Sequence, residues 1–422
     1  MVFHRSQFLT RGTQSFLSGL VTALQETPTS ILLLADAPVS GALLPDDVER
    51  TDIAIAPLKP PEMEALIHGI LQRLPDPPET LIAHIVNRSA GNPRLAEDNI
   101  RLLVQKGILR VSDEQWTLCE GVFGDQLDLA SSHQAASTAR VEGLESNVRH
   151  VLSLASAFGP TFWFEGVLSL LRAHPGGAPD LDTPWITDPM ADWLERVLGS
   201  ALSDGLIGLQ GTSALEGQQE LTFTGIHDHG ALHDAIPAHD RQNYHRLVAQ
   251  WLAGLPLDHP DPWYGVIAEH WEVGTRPVEA ARWFVKAASG ARNVYDLQRA
   301  KTLYQHALTL VDVDCIDVLL PVLEGFAEAC FTAAEFSIAR KAYGALLEAS
   351  LMSRDLPAGA RSWLMLGRCH RCLGDYATAH TCLEHATTVF RQANDSIGLS
   401  DALEQQAILL RLEGADGAYE SA

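Results

Sequence analysis

Residues 361–395, RSWLMLGRCHRCLGDYATAHTCLEHATTVFRQAND, read as two helices joined by a short turn. Trp363, Leu366 and Gly367 share one face of the first helix. Tyr376, Ala379, Leu383 and Ala386 share one face of the second, because steps of three and four keep residues on one side. Gly367 and Ala379 are small where the paired helices cross closely, and the large residues fill the gaps between them. Weaker copies lie upstream, in Ala339 with Tyr343, in Ala300, Tyr304 and Ala307, and in Ala280, Phe284 and Ala287. The first alanines of these sets are separated by 20, 39 and 40 residues. Such uneven steps predict loops of different length, or helices shared between units. Units of this kind bury their faces only on their neighbours, so 264–422 is expected to form stacked antiparallel helix pairs. A second helix of the last unit is expected to begin within Gly414–Ala422, leaving an array cut short with an exposed face.

The unit at 361–395 resembles the tetratricopeptide repeat, W-x-x-L-G…A-x-x-x-F…A. The resemblance implies an α-solenoid whose concave face binds a protein or peptide. Cys369, Cys372, His380, Cys382 and His385 have spacings near those of zinc ligands. The competing reading places Cys369 and Cys372 mid-helix, as small residues at a helix contact.

Residues 89–109, SAGNPRLAEDNIRLLVQKGIL, carry the most specific local signal. Asn92 suits an N-cap and Pro93 the first helical position. Leu95, Ile100, Leu102 and Leu103 supply an apolar face, and Gly107 suits the position after the C-cap. Arg94 puts a cation at the positive end of the helix dipole, where an anion is needed to balance it. Upstream, 8–26 has helical spacing, Ser30–Ala35 suits a buried parallel strand, and Ile53–Ala56 is a second apolar run leading to Leu58. Helices are expected at 60–73, 78–89 and 93–106, followed by strand-like pieces at 109–111 and 116–118.

Gly91-Asn92-Pro93-Arg94 resembles the start of the lid helix in AAA+ ATPases of the signal-transducing (STAND) type, as does the entry Ala56-Pro57-Leu58-Lys59-Pro60-Pro61-Glu62. The resemblance implies that Arg94 lies by the terminal phosphate of ATP and that Gly91 and Pro93 lie near the nucleotide. It implies a truncated ATPase remnant with a helical lid over 1–120, a winged-helix-like domain over 141–255 and tetratricopeptide-like repeats over 264–422. This order is that of the ATPase–repeat region of large bacterial transcriptional regulators, cyclases and protein kinases. The chain departs from the pattern at Ala35-Asp36-Ala37-Pro38, where the family carries an arginine before the proline. It also has no G-x-x-x-x-G-K-S/T loop to cradle phosphates and no strand ending in paired acids for magnesium. The expectation is therefore no ATP hydrolysis by this chain alone and no cofactor, with ATP bound only if another chain supplies the P-loop.

Residues 121–140 read as a linker. Three helices follow: Leu144 to Ala155, Phe162 to Leu171 and Trp193 to Leu202, the last two separated by a Pro/Gly/Asp-rich insertion at 174–188. Leu206–Gln210 and Glu220–Thr224 then suit a hairpin. In the family this hairpin precedes a helix opening with F-x-H and ending near a tyrosine. Here Phe223 is kept, while Gly225 and His233 stand at those other places. The third helix offers Asp192 and Glu195 against Arg196, which favours a protein contact over DNA. His227, His229, His233, His239 and His245, with Asp228, Asp234 and Asp240, offer zinc-type ligands, but without H-E-x-x-H they read equally as a polar helix surface.

The 422 residues carry 53 acids against 30 bases, a net charge of -23, and 46% apolar residues. That composition is globular and disfavours general nucleic-acid binding, since a polyanion is repelled. No apolar run approaches a membrane span, and six cysteines are too few for a disulfide scaffold, which points to the cytoplasm. The sequence-level conclusion is a mainly α, non-catalytic regulatory and protein-interaction region.

Overall fold

The computed structural model describes residues 2–3, 32–33, 53–112, 115–119, 129–173, 188–256 and 261–420, of which 2–3, 32–33 and 415–420 are described by backbone only. The chain divides into two units, 1–60 and 61–422. In the first, β1 (Val2–Phe3) pairs in parallel with β2 (Leu32–Leu33), the described part of the expected parallel strand. The helix expected at 8–26 lies outside the described residues. Ile53–Ala56 forms no regular element, and Ile53 and Ile55 are exposed.

The second unit holds α1 (Pro60–Ile70) from Pro61 on, α2 (Glu79–Ser89) and α3 (Pro93–Gln105). Asn92 caps α3, its Oδ1 accepting from the N–H groups of Arg94 (3.0 Å) and Leu95 (3.3 Å), with Pro93 just inside the start. Gly107 takes a left-handed φ of 68° after the C-cap Lys106. An antiparallel pair follows, β3 (Leu109–Arg110) with β4 (Thr117–Leu118).

Part of the expected linker is a helix, α4 (His133–Glu142), capped by the Ser132 hydroxyl, which accepts from Ala135 N. Its period is weak because polar groups tie the segment to α3. The Asn99 side chain exchanges two hydrogen bonds with the Ala130 backbone (2.9 and 3.1 Å), and Gln105 donates to Arg140 O at 2.6 Å.

Next come α5 (Ser146–Ser156), β5 (Thr161–Trp163), α6 (Phe164–Ala173), α7 (Pro189–Ser203), β6 (Ile207–Leu209) and β7 (Glu220–Phe223). The hairpin β6–β7 forms as expected. The helix expected from Phe162 begins only at Phe164, because Thr161–Trp163 adds a third strand in the order β5-β7-β6, all antiparallel. Phe162, Leu152, Leu194, Leu198, Ile207 and Leu221 are buried in one core beneath this sheet. The insertion at 174–187 lies outside the described residues.

α8 (Ile226–Asp234), α9 (Ala238–Gly254) and α10 (Asp261–Val273) lead to the array α11 (Pro277–Asn293), α12 (Leu297–Leu310), α13 (Ile316–Thr332), α14 (Phe336–Ser353), α15 (Leu356–Cys372), α16 (Tyr376–Ala393) and α17 (Ser396–Glu420). Successive helices pack on each other throughout, and α11 also packs on α13, and α15 on α17.

The turns explain the uneven steps. Tyr295, Ala334 and Gly374, 39 and 40 residues apart, are left-handed residues closing α11, α13 and α15. The next residue, Asp296, Glu335 or Asp375, donates its N–H to the carbonyl five residues back, as in a Schellman stop, and opens the following helix. The repeat is therefore regular at 39–40 residues, in three pairs: α11–α12, α13–α14 and α15–α16. Ala280, Phe284 and Ala287 lie on a first helix of a pair, whereas Ala300, Ala339 and Ala379 begin second helices, so the step of 20 is half a repeat. No helix is shared.

Ala300, Ala339 and Ala379 are fully buried, with Tyr304, Tyr343 and Leu383 each one turn on. A methyl group on Gly367 would lie 2.8 Å from Leu383, and one on Gly325 would overlap the Tyr304 ring. The second helix expected to begin near Gly414 is absent: α17 continues through Gly414 to Glu420, without a break. Among the described residues no helix is long and apolar enough to cross a membrane.

Candidate functional site

The sequence-derived site residues Gly91, Pro93 and Arg94 form the start of α3. Ala90 and Gly91 both take left-handed φ values (47° and 79°), which turns the chain from α2 into α3 and presents the first turn of α3 outward. Arg94 then lines a cavity of about 290 Å³ shared with Asp98, His133, Arg140, His227 and Asp228. Three helices, α3, α4 and α8, thus meet at one polar site.

Arg140 is its centre. Its side chain is 9% exposed, yet it joins two buried carboxylates, donating to Asp98 of α3 at 3.1 Å and to Asp228 of α8 at 2.7 Å. A buried guanidinium between two carboxylates is held by geometry, each terminal nitrogen facing one acid. Asp98 also accepts from Nδ1 of His133 (2.9 Å), and His133 Nε2 accepts from the Asn92 amide (3.0 Å), which sets the His133 tautomer. The Asn92 side chain therefore caps α3 with its oxygen and fixes His133 with its nitrogen. The His133 ring stacks on His227, with centroids 5.3 Å apart and planes 4° from parallel.

Gly225 precedes α8. A Cβ there would lie 2.5 Å from Asp228 Oδ2, so glycine at this position leaves room for the carboxylate that Arg140 binds. Asp228 Oδ1 and Arg140 Nε have no hydrogen-bond partner among the described residues.

The charge balance of Arg94 is local. Its guanidinium lies 3.6 Å from Glu97 and 3.6 Å from Asp98, one turn along the same helix, and is half exposed at the cavity mouth. An arriving anion would compete with these two carboxylates for it.

Two further clusters were singled out in the sequence. His229, His233, His245 and His270 form a line across α8, α9 and α10. His233 and His245 approach Nε2 to Nε2 at 3.2 Å, His245 and His270 Nδ1 to Nδ1 at 2.8 Å, and the His229 and His233 rings are stacked. A neutral imidazole has one N–H, so His245 donates from one nitrogen and accepts at the other. Burial pushes the His245 pKa down to about 3 and that of His270 down to about 4, which keeps both rings neutral. His227 and His239 are not in this line.

The cysteine–histidine cluster is dispersed. Cys369 and Cys372 lie in the last turn of α15, not mid-helix, with Cys369 buried and Cys372 exposed. His380 binds Glu413 (3.2 Å), and His385 stacks on Trp363. Burial raises the Cys369 thiol to about 12. Among the described residues no group of three or more His, Cys, Asp or Glu is arranged to hold a metal ion.

On the array, ion pairs join the first helices of successive pairs. Arg282 pairs with Asp317, Arg292 with Glu328 and Arg361 with Glu324. Arg368 lies over the Phe331 ring at 5.1 Å, and Arg371 donates to the neutral Gln405 at 3.3 Å. Sequence reading missed Arg140, His133 and this ladder, and it singled out Asp228 only as a zinc-type ligand, not as the partner of Arg140. The partners of Arg140 are 42 and 88 residues away, and no local period reports such a pairing.

No family model and no curated protein matches the chain. Among solved structures it is similar to a signal-transduction ATPase with numerous domains (STAND) that carries a tetratricopeptide repeat sensor, from Pyrococcus horikoshii, at 10% identity and a TM-score of 0.35, over 98% of this chain and 65% of that one. It is also similar to the apo form of RapI, at 13% identity and a TM-score of 0.34, over 79% of this chain and 69% of that one. The chain thus spans about two thirds of the length of each.

Proposed function

We infer that this chain is a non-catalytic, cytoplasmic regulatory region whose helical array binds an acidic protein or peptide segment. The observation that carries this reading is the face made by α11, α13, α15 and α17. Arg282, Arg292 and Arg361 meet carboxylates there, whereas Arg368 and Arg371 meet an aromatic ring and an amide. In a chain of net charge -23, two cations left over on the face of a repeat array favour an acidic partner on the concave side. In this reading residues 1–120 are an ATPase remnant with its lid. Residues 141–255 are a winged-helix-like domain that makes protein contacts, in keeping with the element order α5-β5-α6-α7-β6-β7 and the sheet order β5-β7-β6. The whole is the relay part of a STAND-type regulator.

Fluorescence polarisation with glutamate-rich peptide probes tests this. Binding is expected to weaken with salt and to be lost in Arg368→Glu/Arg371→Glu. Equal affinity in wild type and variant, or no binding to any probe, defeats it.

A second reading is favoured by the place of Arg94 at the mouth of the cavity with Arg140, His133 and His227. The region would sense ATP whose P-loop comes from another chain. Nucleotide binding measured with and without Arg94→Ala separates the two readings, and absence of binding even with a P-loop-bearing partner ends the second.

A further inference from the structure

A separate cavity of about 310 Å³ lies between α9, α10 and α11, where the sheet-bearing region passes into the array. Its volume is at the lower end of small-molecule sites. Arg246 of α9 and Arg276 at the start of α11 both line it, with Gln250, Leu247, Trp271 and Glu279.

Among the described residues neither arginine has a carboxylate within ion-pair distance. Arg246 spends only its Nε, on Gln242 O (3.3 Å). Glu279 is drawn toward Arg282 on its own helix, at 3.9 Å. The Trp271 indole N–H is buried without an acceptor. Two guanidinium groups that line one cavity with neither ion-paired, its one carboxylate (Glu279) facing Arg282 instead, repel each other in a chain with 53 acids to choose from.

The backbone of the α10–α11 turn reinforces the point. Thr275 is left-handed, and Arg276 N–H donates to the carbonyl five residues back, as Asp296, Glu335, Asp355, Asp375 and Asp395 do in the later turns. At this one turn a cation replaces the acid, and α11 begins without a side-chain cap.

We propose that this cavity binds a small anion, a carboxylate or a phosphate, held between the guanidinium groups of Arg246 and Arg276. Planar guanidinium forks match either oxyanion. An anion seated there supplies the negative charge that the other turns carry covalently, and it clamps α9 to the start of the array. The site is distinct from the one at Arg94, and its ligand would set the angle at which the array leaves the sheet-bearing region.

Isothermal titration of the full chain with citrate and, separately, with inorganic phosphate at constant ionic strength tests the proposal. One saturable site is expected with at least one probe, weakened about tenfold or more in Arg246→Gln and in Arg276→Gln. It should be unchanged in Arg299→Gln, a surface control on α12. Citrate alone saturating assigns a carboxylate, and phosphate alone assigns a phosphate. Arg276→Asp restores the acid of the other turns and is expected to melt at a higher temperature than wild type while losing the site. Dilution heats with both probes, or undiminished binding in Arg276→Asp, overturns the proposal.

Discussion

Arg140 in α4 and Tyr304 in α12 are both buried beneath neighbouring helices, and the means of holding them are opposite. Arg140 is held by two carboxylates from α3 and α8, so charge specifies where those helices meet. Tyr304 is held by shape. Gly325 of α13 leaves room for its ring, and Ser289 of α11 meets its hydroxyl at 3.0 Å. A charged junction has one good geometry and a high cost of half-removal. A junction of small and large residues can be repeated along the chain, since each pair needs only its neighbours.

The largest effect is expected at the charged junction. Arg140→Leu leaves Asp228 buried and without its cation, and Asp98 held only by His133 and Arg94, which costs about 3–5 kcal/mol. Adding Asp98→Asn and Asp228→Asn should recover most of that loss. Urea unfolding of the single and triple variants checks this, and equal stability of Arg140→Leu and wild type would break the contrast. In the array, Gly325→Ala forces the Tyr304 ring to move and is expected to cost about 2 kcal/mol. The loss should appear as early melting of the helical circular dichroism signal, and an unchanged midpoint would show that α12 and α13 have slack between them.

Where the two regions join, His245 and His270 sharpen the comparison. Their folded pKa values, about 3 and about 4, lie below the ordinary 6.5. Their contribution is therefore fully present above pH 6.5 and is lost as pH falls from 6.5 toward 4, while the unfolded chain takes up protons that the folded chain refuses. The slope is up to about 1.4 kcal/mol per pH unit for each ring. Arg241 opposes protonation of His233 and His245, and Asp234 favours protonation of His229 and His233. Stability measured across that window should fall less steeply in His245→Leu/His270→Leu, and a flat wild-type profile would refute the assignment. The smallest effect is a gain. Ala334 closes α13 at φ 59°, and Ala334→Gly should stabilise the array by about 1 kcal/mol, seen as a higher melting temperature.

Helix ends were the most legible feature of the sequence. Asn92, Pro93 and Gly107 announce their roles through their own backbone chemistry, and the structure uses them so. The small–large pattern around Gly367 and Ala379 likewise identified the helix pairs. The repeat length was misread because Ala280, Phe284 and Ala287 lie on a first helix yet carry the pattern of a second. The true punctuation, a left-handed residue followed by an acid, was written in Tyr295-Asp296, Ala334-Glu335 and Gly374-Asp375. Only glycine among the three left-handed residues advertises that conformation. The segment holding α4 was read as a linker because polar contacts do not repeat every 3.6 residues.

By itself the sequence determined what each stretch does to its own backbone: where helices start and stop, which faces are apolar, and that the C-terminal part stacks in pairs. Those outcomes rest on interactions within a few residues, which spacing records. The tertiary structure alone decided that Asp98, Arg140 and Asp228 form one site, and that Arg246 and Arg276 share a cavity in which neither is paired with an acid. Charges act through space at distances the chain order does not encode, so only the folded arrangement of α3, α4 and α8, and of α9 with α11, brings them together.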